Sequence, residues 1–218
     1  QAYSQLLFAK AGSRGVPLSG TFERTPRCNL DCRMCYIHRR EIDAAALRGE
    51  ASATEWLALA EECCREGTLL LLLTGGEPLV RKRDVIRLAE AHNDCLFNIF
   101  TNASLIDQEF CDDVKRVGNI VFSVSLEGTE DSNDGRRGDG SYQEVMRAFD
   151  LMRENGLLFG TSTAYTRANT EMVSSDEYFD TIIAKGCRWA WYFHYMPVGE
   201  GASVDLCPTV EQREYMLR

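Results

Sequence analysis

An α/β fold with parallel strands is predicted by three observations. Six short segments rich in β-forming residues recur along the chain, each is followed by a helical pattern or the start of one, and helix start and stop signals punctuate the series. Strands that alternate with helices pair in parallel through right-handed crossovers. With 218 residues, 44% apolar and 26% charged, the chain can bury one core, so a single domain over residues 1–218 is expected. Periodicity leaves open whether six such units make a doubly wound sheet or an incomplete (β/α) barrel.

The elements follow in order. Leu18–Thr25 reads as the first strand. Ser52 and Glu55 have capping-box spacing ahead of a helix that puts Trp56, Leu59, Ala60, Cys63 and Cys64 on one face and stops at Gly67. Leu69–Leu73 is the second strand, a weaker helical pattern covers Asp84–Ala91, and Leu96–Phe100 is the third strand. Asp107 opens a helix that buries Phe110, Cys111, Val114 and Val117 and ends at Gly118, before a fourth strand at Ile120–Leu126. Ser141 with Glu144 opens the next helix, with Tyr142, Val145, Met146, Phe149 and Met152 inside and Gly156 at its end. Leu158–Tyr165 is the fifth strand; Ser174 with Glu177 starts a helix burying Phe179, Ile182 and Ile183 up to Gly186; Arg188–Tyr195 is the sixth strand. The segments 36–50 and 127–140 read as the two long loops, and Thr209 with Gln212 starts a last helix at 209–218. A chain that begins at Gln1 and stops inside a helix is expected to be the core of a longer protein with a C-terminal extension beyond it.

Acidic residues outnumber basic ones by 33 to 24, a net charge of −9 that repels polyphosphate and argues against nucleic-acid binding. The longest apolar run, Leu69–Leu73, is far too short to span a membrane, and no leader pattern opens the chain, so a cytoplasmic location is expected. In such a compartment the nine cysteines are better read as metal ligands, reactive thiols or packing groups than as disulfides.

Three of them, Cys28, Cys32 and Cys35, lie in one polar loop after the first strand. Packing thiols rarely cluster in a polar loop. A structural zinc would require a fourth ligand that is not evident nearby, whereas a cubane iron–sulfur cluster held by three thiolates keeps one iron open to a small molecule. After the second strand comes Thr74-Gly75-Gly76-Glu77-Pro78, where glycines permit close backbone approach and a carboxylate can hold a cation; alone it reads rather as an ordinary strand-to-helix turn than as a site.

Together the two motifs resemble the radical SAM superfamily: Cys28, Cys32 and Cys35 match its CxxxCxxC loop, and Gly75, Gly76 and Glu77 its GGE motif. Thr101 and Asn102 after the third strand look like the family's Thr-Asn pair beside the cofactor, and Ser125 and Glu127 after the fourth like its ribose-contacting motif, with Glu in place of the commoner Asp. Ala103 stands where Gly is common, and Met34 where an aromatic is. Arg136 or Arg137 precedes Gly140-Ser141-Tyr142, as an arginine meeting the cofactor carboxylate does in related members; the spacing does not choose between them. Independently of the resemblance, four motifs fall at the carboxyl ends of successive strands, where a parallel barrel builds its site. That favours the partial (β/α)6 TIM-type barrel.

The resemblance implies a 4Fe-4S cluster on the three cysteines and S-adenosylmethionine on its open iron, with Glu77 and the Gly75-Gly76 backbone at the ammonium. Reductive cleavage would yield a 5′-deoxyadenosyl radical that abstracts a substrate hydrogen, with electrons from a flavodoxin or ferredoxin. The look is closest to the subgroup with a C-terminal SPASM extension, which modifies peptides or proteins. Small-molecule or haem-type cofactor synthesis, and a non-catalytic metal-binding scaffold, are the alternatives. Cys63, Cys64, Cys95, Cys111 and Cys187 read as packing thiols, Cys207 as packing or a ligand of a second cluster, His194 as structural or substrate-facing, and His38-Arg39-Arg40 as a solvated run.

Overall fold

The computed structural model describes residues 2–37, 44–198 and 202–217, so His38-Arg39-Arg40 lie outside the described residues. The order is α1 (Ala2–Ser13), β1 (Ser19–Glu23), α2 (Ala44–Arg48), α3 (Ala53–Arg65), β2 (Leu70–Thr74), α4 (Lys82–Ala91), β3 (Leu96–Thr101), α5 (Gln108–Val117) and β4 (Ile120–Ser125). It continues with α6 (Glu130–Arg137), α7 (Ser141–Glu154), β5 (Phe159–Tyr165), α8 (Thr170–Val173), α9 (Asp176–Lys185), β6 (Ala190–His194) and α10 (Val210–Met216).

The strands form one sheet in the order β1-β2-β3-β4-β5-β6, and every neighbouring pair is parallel. A doubly wound sheet must reverse its strand order at a switch point. This one never does, so right-handed crossovers lay the helices on one face and the sheet curls into a half-barrel. The core lies between that face and the helices: Leu71, Leu73, Phe97, Ile99, Phe122, Val124, Phe149 and Phe159 are buried, and the Phe149 and Phe159 rings stack with centroids 5.2 Å apart. No helix among the described residues is long and apolar enough to cross a membrane.

Capping chemistry accounts for several boundaries. Ser52 Oγ accepts from Glu55 N while the Glu55 carboxylate accepts from Ser52 N, and Asp107 accepts from Phe110 N at 2.9 Å before Gly118 closes α5 at φ +77°. Elsewhere the structure departs from the expected pattern. Residues 127–140 are not simply a loop: α6 forms despite Asn133 and Gly135, because buried Asn133 accepts from Glu127 N and donates to Ser141 Oγ, a tertiary support that propensity cannot register. Helix α7 is capped from a distance, since Ser141 is its first residue and the Asp134 carboxylate accepts from Gly140 N, Tyr142 N and Ser141 Oγ. The α9 cap is Ser175 rather than Ser174, which shifts the buried stripe to Tyr178 and Ile182 and leaves Phe179 and Ile183 facing outward. In α3, Leu57 packs on the core and Leu59 is exposed.

Burial opposes ionisation of Asp134, but the N–H groups of Tyr142 and Gly140 outweigh it and hold its carboxyl below the usual range. A lowered carboxylate stabilises the fold above its ordinary value of 3.8, and the contribution disappears as pH falls through the still lower folded value. Asp134→Ala is therefore expected to cost about 1–2 kcal/mol at neutral pH in urea unfolding. The gap to the parent should narrow under acid; an equal midpoint at neutral pH contradicts the cap.

Candidate active site

The carboxyl ends of the strands carry the chemistry-bearing residues. The chain leaving β1 runs against the turn after β2: Arg24 N donates to Thr74 O, Gly76 N to Thr25 O at 2.7 Å, and Glu77 N to Arg27 O at 2.8 Å. These contacts explain both glycines. A Cβ on Gly75, whose φ is +132°, would stand 2.5 Å from Thr25 O, and one on Gly76 would stand 2.2 Å from Arg27 O. The close approach the glycines permit is thus first of all to the segment that launches the cysteine loop. Arg27 also pairs with Glu50 at 3.0 Å, and the fully buried Arg24 lies over the Trp56 ring at 5.1 Å, its pKa lowered by burial to about 10.

Glu77 is 1% exposed. Its Oε1 accepts from Leu79 N at 2.9 Å and Thr101 Oγ1 at 2.7 Å, and its Oε2 from Asn102 N at 2.8 Å. Burial pushes its carboxyl up, against those donors and the charge of Arg137. Asn102 passes the connection on: its Nδ2 donates to Asn29 Oδ1 at 3.0 Å and lies 4.0 Å from Cys28 Sγ, while Asn29 donates to Ser104 Oγ. Ala103 sits at φ +64°, a left-handed position that costs a non-glycine residue about 1–2 kcal/mol. Glu77, Thr101 and Asn102 therefore brace the cysteine loop from beneath.

Glu127, also 1% exposed, is held on both sides. Its Oε1 accepts from Arg137 Nε and Nη2, its Oε2 accepts from Ala164 N at 3.1 Å, and Arg136 Nη1 lies 2.9 Å from Oε2. That last contact is ionic without hydrogen-bond alignment: Arg136 Nε and Nη1 are buried and have no hydrogen-bond partner among the described residues. The Arg136 carbonyl accepts from Arg33 N at 2.8 Å, so the end of α6 anchors the cysteine loop. Burial raises the Cys32 thiol, against the charge of Arg137.

A cavity of about 810 Å³ opens between these parts, lined by Cys28, Cys32 and Cys35 on one wall and by Gly76, Glu127 and Arg136 with the residues after β5 on the others. Gly75, Glu77, Thr101, Asn102, Ser125 and Arg137 stand behind that lining; Ser125 ends β4 half-buried, paired with Ser162. The sequence did not mark several of the lining residues, Thr166 and Asn169 among them. Asn169 Oδ1 accepts from Thr166 N and Oγ1, and its Nδ2 donates to Glu127 O and Ala164 O, which shapes the wall after β5. Their place just past the carboxyl end of a strand is the signal that could have found them, since the motifs at four other strands lie at the same end. Cys207 follows the lining residue Leu206, and His194 is exposed at the end of β6, its ring 6.4 Å from that of Tyr165.

Residues 22–171 match the family model described as the radical SAM superfamily. The chain is 30% identical to Fe-coproporphyrin III synthase of Methanosarcina barkeri over 183 residues, 83% of this chain and 44% of that protein. It is 25% identical to the sporulation killing factor maturation protein SkfB of Bacillus subtilis, over 73% of this chain and 38% of that one. The fold superposes on Streptococcus suis SuiB bound to its precursor peptide SuiA with a TM-score of 0.76 at 20% identity, covering 96% of this chain and 48% of SuiB. The chain thus spans about half or less of the length of these relatives. With a half-barrel of the same kind, a family match over most of its length and the cysteine loop at the mouth of the barrel, the chain belongs to the radical SAM superfamily.

Proposed function

We propose that this chain is the core of an enzyme that abstracts a hydrogen atom from a peptide or protein substrate. The observation that carries the reading is the cavity at the strands' carboxyl ends, with three thiols facing an incompletely paired guanidinium. The superfamily's cofactors, a 4Fe-4S cluster and S-adenosylmethionine, fit this donor set in charge and in size. When bound, they supply one-electron cleavage of the sulfonium and the resulting hydrogen abstraction.

The chain's residues do the rest. Cys28, Cys32 and Cys35 hold the cluster. Arg136, with donors to spare and a place in the lining, meets the cofactor carboxylate, while Arg137 stays with Glu127. Gly76, in the lining, presents backbone to the ammonium, while Gly75 and the buried Glu77 carboxylate fix that turn from behind. Thr101 and Asn102 set the loop height; Ser125 and Glu127 form the ribose side. Electrons come from a flavodoxin or ferredoxin. SuiB with its precursor peptide supports a peptide substrate, whereas the higher identity to Fe-coproporphyrin III synthase favours a second reading, a haem-type precursor.

The test is anaerobic reconstitution with iron and sulfide, then dithionite and S-adenosylmethionine, with chromatographic detection of 5′-deoxyadenosine. Product is expected from the parent and none from Cys32→Ala, which should also lose the cluster's visible absorbance. An unchanged spectrum in that variant overturns the ligand assignment, and a loaded parent that makes no product points to the scaffold alternative. Deuterium transfer into 5′-deoxyadenosine from a labelled peptide, but not from a labelled porphyrin, supports the first substrate class; the reverse overturns it.

A further inference from the structure

The opposite end of the sheet carries a second group of metal-ligating side chains. Cys64 lies at the end of α3, His92 is the C-cap of α4, and Asp94 precedes β3, so all three sit at the amino ends of the strands, away from the cavity. The Cys64 sulfur, a ring nitrogen of His92 and a carboxylate oxygen of Asp94 lie within 4.8 Å of one another. We infer that Cys64, His92 and Asp94 form a binding site for a divalent cation of the zinc class.

The donor set suits that ion. Thiolate, imidazole and carboxylate are the three ligand types zinc takes in tetrahedral sites, and two negative ligands neutralise its charge. Three protein ligands leave one position for water.

A separate observation points the same way. His92 is 4% exposed, and its Nε2 is buried with no hydrogen-bond partner among the described residues. Such an orphaned ring nitrogen costs free energy in a chain without a ligand for it. Its Nδ1 lies 3.7 Å from Glu61 Oε2, an ionic contact beyond hydrogen-bond range, so neither ring nitrogen is taken up by a protein hydrogen bond among the described residues.

The surroundings are built rather than loose. Asn119 Nδ2 donates to the carbonyls of Ala89, His92 and Cys95, each at 3.0 Å, which fixes the turn that carries two of the ligands. The buried Cys95 thiol, which neighbours Cys64, donates to the Leu96 carbonyl at 3.8 Å. Asp94, on the exposed side, gives the ion its way in. A cation there ties the end of α3 to the turn between α4 and β3 and acts as a structural staple, independent of the radical chemistry.

The test uses cobalt(II) as a spectroscopic stand-in for zinc, in the chain carrying Cys28→Ser, Cys32→Ser and Cys35→Ser so that the cluster loop cannot compete. One equivalent is expected to bind with thiolate-to-cobalt charge-transfer absorbance, to be displaced by zinc, and to raise the unfolding temperature. Cys64→Ser should abolish the band, and Cys63→Ser, one residue away, should leave it intact. Asp94→Asn, an exposed change that does not threaten folding, should weaken binding by about tenfold or more. Absence of saturable binding, or binding indifferent to both Cys64→Ser and Asp94→Asn, overturns the site.

Discussion

Gly76→Ala is expected to remove the cluster from an otherwise folded protein. The added methyl would stand 2.2 Å from Arg27 O, 2.6 Å from Arg27 C and 2.7 Å from Pro26 O, all backbone atoms, so no side chain can rotate away to relieve the contact. The two strand-end connections must separate, and with them go the hydrogen bonds from Gly76 N to Thr25 O and from Glu77 N to Arg27 O. Overpacking of this kind costs about 1–3 kcal/mol, and the two hydrogen bonds add about 1 kcal/mol each. Arg27 immediately precedes Cys28, so the displacement lands on the first of the three cysteines proposed to hold the cluster. Iron per chain after reconstitution should fall to a small fraction of the parent's at a temperature where circular dichroism still reports a folded barrel. Gly118→Ala is the control: it strains a helix cap at φ +77° with nothing within 4 Å of the new Cβ, so it should lower stability and leave iron content alone. A Gly76→Ala protein with full iron and an unmoved unfolding midpoint would remove the turn from this role.

The same turn shows how far the sequence could be read. Its glycines, the cysteines and Glu127 were visible because they resemble the family's motifs, whose place at strand ends agrees with a parallel barrel, and strand order follows from alternation of elements once crossovers have a hand. What the glycines touch was not visible, because two residues some fifty positions away along the chain decide it. Helix α6 was hidden for a similar reason: its own residues disfavour a helix, and Asn133, by bonding Glu127 N and Ser141 Oγ, stabilises it through contacts outside the segment. The one-residue shift at α9 had a purely local origin, two adjacent serines that are equally good caps by residue type. Cys64 shows the converse limit, since a helix stripe places it as packing and only the folded turn at His92 and Asp94 gives it metal-ligating neighbours.

Glu127→Ala is the second large effect expected. The ribose side of the family motif suggests a ligand contact, yet in this chain both carboxylate oxygens already serve the protein: two arginines and Ala164 N converge on them. Removing the carboxylate leaves two guanidinium groups, 17% and 14% exposed, facing each other without a counter-charge and orphans the Ala164 N–H. Breaking a largely buried ion pair from one side costs on the order of 3 kcal/mol, more than the net worth of the pair itself. Arg136 also anchors the cysteine loop through its carbonyl, so the loss should reach the cluster as well as the cofactor. Glu127→Gln separates charge from shape: it keeps an acceptor for Arg137 but not the charge, and should fall between Ala and the parent in urea midpoint and in S-adenosylmethionine affinity. Adding Arg137→Met to Glu127→Ala removes one uncompensated cation and should recover part of the stability, with the two changes coupled by more than 1 kcal/mol in the double-mutant cycle. Recovery of stability without recovery of affinity would mean that the clamp, rather than mere folding, shapes the cofactor wall. Additive effects of the two substitutions would mean that Glu127 and Arg137 act separately, and the clamp would have to be abandoned.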